Sequence, residues 1–183
     1  MVVTLADPAI RRHTPWLAKQ MRTWPRGRAA FAVAAAVGLV HAFFSAYWAL
    51  GGRWLLGTVG QWAVRLAADA PVGAGLVLGL VAILKAAGAV VPILVEQGRL
   101  GGRRFWRPVE WVGAVGLMLY GLVNVVVALG VLTGVIATPG GFDRLAQLGH
   151  AALWDPLFLI WGLSLVIGLS LSRSPSRKEA AFG

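Results

Sequence analysis

Residues 73–95 read GAGLVLGLVAILKAAGAVVPILV, twenty-three positions with one charge, at Lys85. No soluble helix is apolar on every side over such a length, because one face must meet water. A bilayer core of about 30 Å takes about 20 apolar residues as an α-helix, and this stretch supplies them. Three similar stretches flank it, at 29–50, 111–137 and 151–171. The fold class expected is therefore all-α, an integral membrane bundle of four helices. About half of the 183 residues are left for tails and loops, and no linker could hold a second folded domain. The organisation expected is a basic tail at 1–28, a four-span domain at 29–172 and a short tail at 173–183. The first apolar run is longer than a signal-peptide core and starts late, so it is read as a retained helix.

Charge then orients the spans. The first tail carries Arg11, Arg12, Lys19, Arg22, Arg26 and Arg28; the middle gap carries Arg99, Arg103, Arg104 and Arg107; the last tail carries Arg173, Arg177 and Lys178. The first gap has only Arg53 and Arg65, and the third only Arg144. The positive-inside rule puts both termini and the middle gap in the cytoplasm, as an even number of spans requires. The location expected is the plasma (inner) membrane, crossed in multiple passes. The formal charge of +10 does not signal nucleic acid, because its bases border apolar spans and suit anionic lipid headgroups. Trp16 and Trp24, set among the bases of the first tail, suggest that it lies on the membrane surface, although Pro15 and Pro25 limit any helix there.

The gaps have structure of their own. Leu55, Val59, Trp62 and Leu66 recur at helical spacing, with Gln61, Arg65 and Asp69 on another face. This predicts a short amphipathic helix in the outer interface, with Arg65 and Asp69 placed to pair. Pro139-Gly140-Gly141 breaks the chain before the last span. Asp155-Pro156 is read as a further break, with Asp155 capping a helix that begins at Pro156; the alternative is a helix from Phe142 kinked at Pro156. Gly75 with Gly79, and Gly130 with Gly134, have the spacing that lets membrane helices approach closely. Packing within the bundle is the plainer use of these pairs, and a homodimer interface is the other.

Ionisable residues inside spans are the natural functional candidates, since hydrocarbon penalises them. Lys85 lies mid-span, about 16 Å from Glu96 at the inner end, too far for its stem to reach water there. His41, Ser45 and Trp48 form one stripe of the first span, with Tyr47 adjacent. Asp155, with His150 five residues earlier, falls at the same level. His41, Ser45, Tyr47, Trp48 and Asp155 are thus a candidate intramembrane polar cluster, and Lys85 a candidate intramembrane charge. His41 and Asp155 would be its acid and base if it worked chemically. Tyr120 and Asn124, one turn apart, suit hydrogen bonds between helices.

Several chemistries lack their residues. With no cysteine there is no disulfide, thiol relay or thiolate-bound metal. There is no H-E-x-x-H, carboxylate cluster or nucleophile elbow, so no catalytic residue, metal site or cofactor is assigned.

The stretch His41-Ala42-Phe43-Phe44-Ser45-Ala46-Tyr47-Trp48-Ala49-Leu50-Gly51-Gly52 resembles the signature of the DUF3995 family, small bacterial membrane proteins of four helices. Trp154-Asp155-Pro156, with Trp161-Gly162 beyond it, is similar to the family's other recurring element. The resemblance implies a bacterial membrane protein with four helices, covering most of the chain from about residue 29, and carries no activity with it. Three functions are then expected to compete. They are a non-enzymatic structural, accessory or partner-binding unit; an outward pocket for a lipid or small apolar molecule, with or without catalysis, built on His41, Tyr47, Trp48 and Asp155; and a dimeric proton- or ion-coupled carrier using Lys85 and Asp155. Whether the protein is an enzyme is left open by the residues, which lean against it.

Overall fold

The structure, a computed structural model, describes residues 27–172. Residues 1–26 and 173–183, with the surface-lying segment expected around Trp16 and Trp24, fall outside the described residues. Within them all regular structure is helical, with no strand. The elements are α1 (Arg28–Ala49), a 3-10 turn (Leu56–Thr58), α2 (Gln61–Asp69), α3 (Pro71–Glu96), α4 (Arg103–Leu132), α5 (Arg144–Gly149), a π turn (His150–Trp154) and α6 (Asp155–Leu171). Four units are long and apolar enough to cross a membrane: α1, α3, α4 and the continuous α5–π–α6 segment. We call the end with residues 50–70 and 133–143 the upper end, and that with residues 97–102 the lower end.

The spatial order is α3, α1, α6, α4. α1 packs extensively on α3 and α6, and α6 on α4, whereas α3 and α4 touch little. Small residues set these approaches, because without a hydrophobic force between helices in lipid, close van der Waals contact must hold them. At Gly121 of α4 an added Cβ would run into the Leu159 and Asp155 backbone of α6; at Gly162 of α6 it would run into the Met118 backbone of α4. The lower core gathers Phe31, Ala34, Ala89, Ala114, Trp161, Leu165 and Leu169 from all four units. Trp161 lies against Gly38, where a Cβ would come within 2.7 Å of its ring. Of the expected glycine pairs, Gly75 sits 3.0 Å, at its Cβ position, from the Ala49 carbonyl, so that pair packs within the chain. Gly134 does not pack at all: with φ +78° it ends α4, in open space.

Some boundaries differ from the sequence reading. α4 begins at Arg103 rather than near Trp111, because the basic turn is itself helical and tied down by Glu96 and Ser172. The amphipathic helix exists but is shorter than its stripe. Leu55 adopts a left-handed φ of 61° and Gly60 one of 137°, so helix starts only at Gln61, and Arg65 and Asp69 make no ion pair. The expected cap at Asp155 is overturned. The chain runs on through a π turn, and the residue that caps is Asp143, whose carboxylate accepts the Ala146 N–H at 3.1 Å. Pro156 explains the wide turn: it has no N–H for the Ala152 carbonyl, and a local π adjustment re-satisfies backbone groups beside a membrane proline.

Candidate functional site

The upper half of the bundle holds a polar cluster organised around Trp154. Its indole packs edge-on against Phe44 and Trp48 of α1, with ring centroids 5.1 Å away in both cases. Its Nε1–H donates to Thr58 Oγ1 at 2.9 Å, fixing the 3-10 turn of the first loop. Gly149 allows this, since a Cβ there would strike the Thr58 backbone. The Trp154 carbonyl accepts from His41 Nε2 at 3.0 Å. A carbonyl can only accept, so Nε2 carries the proton and Nδ1 a lone pair. Lys85 Nζ meets that lone pair at 3.4 Å and donates to Ser45 Oγ at 3.0 Å. Ser45 in turn donates to the His41 carbonyl at 3.2 Å.

His150 and Asp155 form a second unit. In a regular α-helix five residues turn about 500°, which leaves i and i+5 about 140° apart. The π turn between them brings both to one side, and Nδ1 lies 2.9 Å from Asp155 Oδ2. His150 Nε2 donates to the Val59 carbonyl at 3.2 Å, so it too must be protonated. One proton therefore serves Nδ1 and Oδ2 together. With it on nitrogen the pair is imidazolium and carboxylate, with it on oxygen it is two neutral groups, and the sum of charge is zero in both cases. That arrangement suits Asp155, which is 1 % exposed.

The sequence cluster is thus divided. His41 and Ser45 face Lys85, which the sequence treated separately. Asp155 turns to His150 and not to His41. Tyr47 and Trp48 fasten the loop beyond α1: the Tyr47 hydroxyl accepts the Trp54 N–H at 3.4 Å, Trp48 Nε1 donates to the Trp54 carbonyl at 2.9 Å, and Gly52 lies under the Tyr47 ring. Tyr120 and Asn124 do not bridge helices, since Asn124 Nδ2 donates to the Tyr120 carbonyl of its own turn at 2.8 Å. Phe158, unnoticed in the sequence, lies where these parts meet. It stacks on His41 at 3.9 Å, takes the Tyr120 edge at 5.3 Å and has Lys85 Nζ 5.3 Å from its centroid. Its place one turn beyond Trp154 on the same helix was the available signal.

A separate ionic network closes the lower end. Glu96 Oε2 receives Arg103 at 3.3 Å and Arg107 at 3.4 Å; Arg107 also reaches Ser172 Oγ at 2.7 Å and lies 3.9 Å from Glu110. The spacing of Arg103, Arg107 and Glu110 on one helical face was the sequence signal for it. Glu110 Oε1 and Trp161 Nε1 are buried in the lower half with no hydrogen-bond partner among the described residues. Among the described residues no group of three or more His, Asp or Glu side chains is placed to hold a metal ion.

A family model described as a protein of unknown function, DUF3995, matches residues 38–165. The chain belongs to that family. No curated protein matches it, and no solved structure does. The two stretches that carry the resemblance, 41–52 and 154–156, meet in space: His41, Phe44 and Trp48 all contact Trp154.

Proposed function

We propose that this protein is a non-enzymatic binding unit of a bacterial plasma membrane, crossing it four times with the lower end and both termini in the cytoplasm. The observation that carries the functional reading is the state of the acid–base candidates. Both ring nitrogens of His41 are engaged, Ser45 both donates and accepts, and Asp155 is taken up by His150. His41, Ser45 and Asp155 are at most 3 % exposed. A general acid or base must reach a substrate proton, and these groups are spent on the fold. The basic residues of the lower end support the orientation, and they favour anionic headgroups on that leaflet.

Two measurements test this. Native mass spectrometry of the full chain, released from membrane in lipid nanodiscs, should find a stoichiometric protein or amphiphile retained on it. Vesicles of bacterial lipid reconstituted with wild type or Asp155→Asn should keep the same lipid profile over time. A product that accumulates only with wild type would replace this reading with an enzymatic one, and a fusion reporter at residue 183 active outside the cytoplasm would reverse the orientation.

A further inference from the structure

We propose that the face around Phe158, between α3 and α4, binds a lipophilic carboxylate, a fatty-acid-like anion whose head lies between Lys85 and Tyr120. This rests on the reading of the protein as a binding unit and names its ligand. An ammonium group has three N–H bonds. In Lys85 one goes to Ser45 and one to His41, both uncharged acceptors, and no carboxylate faces it among the described residues. The third is left at the Phe158 ring, 5.3 Å from its centroid. Tyr120, on α4, meets the same ring edge-on, with centroids 5.3 Å apart. Among the described residues the Tyr120 hydroxyl has no hydrogen-bond partner, and Tyr120 is 52 % exposed. A cation and a phenol, from two helices that scarcely touch, thus both meet one aromatic ring.

Access and depth narrow the ligand. Lys85 and Phe158 are half-buried, so this face meets the surroundings of the bundle, whereas His41 and Ser45 behind it are closed. Lys85 stands near the midpoint of α3, the level of the hydrocarbon centre. A hydrophilic anion does not reach that level from water; one carried by an apolar tail does. Leu84, next to Lys85, and Val123, about one turn from Tyr120, are exposed aliphatics suited to such a tail. A single unmatched positive charge calls for a single negative one, and a carboxylate accepts from both Nζ–H and a phenolic O–H.

The test uses the full chain in phosphatidylcholine nanodiscs with three probes: oleic acid, oleyl alcohol and dioleoyl phosphatidate, read by native mass spectrometry and by displacement of a spin-labelled stearic acid. Oleate should bind one per chain and exceed oleyl alcohol by at least about tenfold in affinity. Lys85→Met should remove that preference, Lys85→Arg should keep it, and Tyr120→Phe should weaken oleate by about two- to fivefold with an unchanged melting temperature. Equal binding of oleate and oleyl alcohol, or wild-type binding by Lys85→Met, would overturn the proposal. Preference for phosphatidate over oleate would also overturn it, giving the site to a phospholipid head. A different stoichiometric partner, retained equally by Lys85→Met, would sink this site and leave the binding-unit reading intact.

Discussion

The α4–α6 seam and the α3–α4 seam use the same kinds of residue and come out opposite. Along α4–α6, Gly121 and Gly162 bring one backbone against the other, with no room for a single added carbon. Along α3–α4 the helices touch little, and what lies between their levels is an aromatic ring that both Lys85 and Tyr120 meet. Glycine content does not separate the two. Gly113 and Gly116, on α4 itself, have nothing near the position of a Cβ. What differs is whether the partner helix offers backbone or side chain at that height. Closure in lipid comes from backbone approach, and an opening is left where a long polar side chain takes its place.

Substitutions can break this contrast. Gly121→Leu should have the largest effect, since its side chain must displace the Asp155–Leu159 backbone; a loss of about 3 kcal/mol or more is expected, or no folded protein. Denaturation with sodium dodecyl sulfate in mixed micelles would measure it. Asp155→Ala on the same seam should cost about 1–2 kcal/mol in that assay, because it removes the partner of the half-buried His150 Nδ1 and leaves a gap at a fully buried position, and Asp155→Asn should cost less. On the open seam Lys85→Met should stay within about 1 kcal/mol of wild type, since it exchanges two hydrogen bonds to uncharged groups for a charge no longer held in hydrocarbon. Gly116→Leu should be smallest, within about 0.5 kcal/mol in either direction, as it faces open space on the same helix. If Gly116→Leu and Gly121→Leu proved equally harmful, helix flexibility rather than seam closure would be the use of these glycines.

The spans were legible because hydropathy is a local property; so was the short helix of the first loop, apart from its start. The location of polar groups inside the membrane was legible, but their partners were not. Lys85 and Ser45 join only because α1 is the neighbour of α3, and the order α3, α1, α6, α4 is written in no single stretch. Asp155 was misread as a cap for a related reason. An aspartate before a proline has the residue types favoured at a helix start, but here helix already existed upstream from Arg144, and the side chain turned back to His150. The lower network was within reach of helical spacing, yet Ser172 as its acceptor required the end of α6 to be placed beside α4.

The π turn has a genetic consequence. It acts as one surplus residue in the last span, so the portions before and after it are two screws cut out of phase by about 100°. Dropping a single codon among 151–153 would bring the threads back into phase. The upper portion would then swing by that angle, Asp143 would leave the Gln61 N–H it now accepts, and the first loop would lose one of its ties while the lower half of the span stayed put.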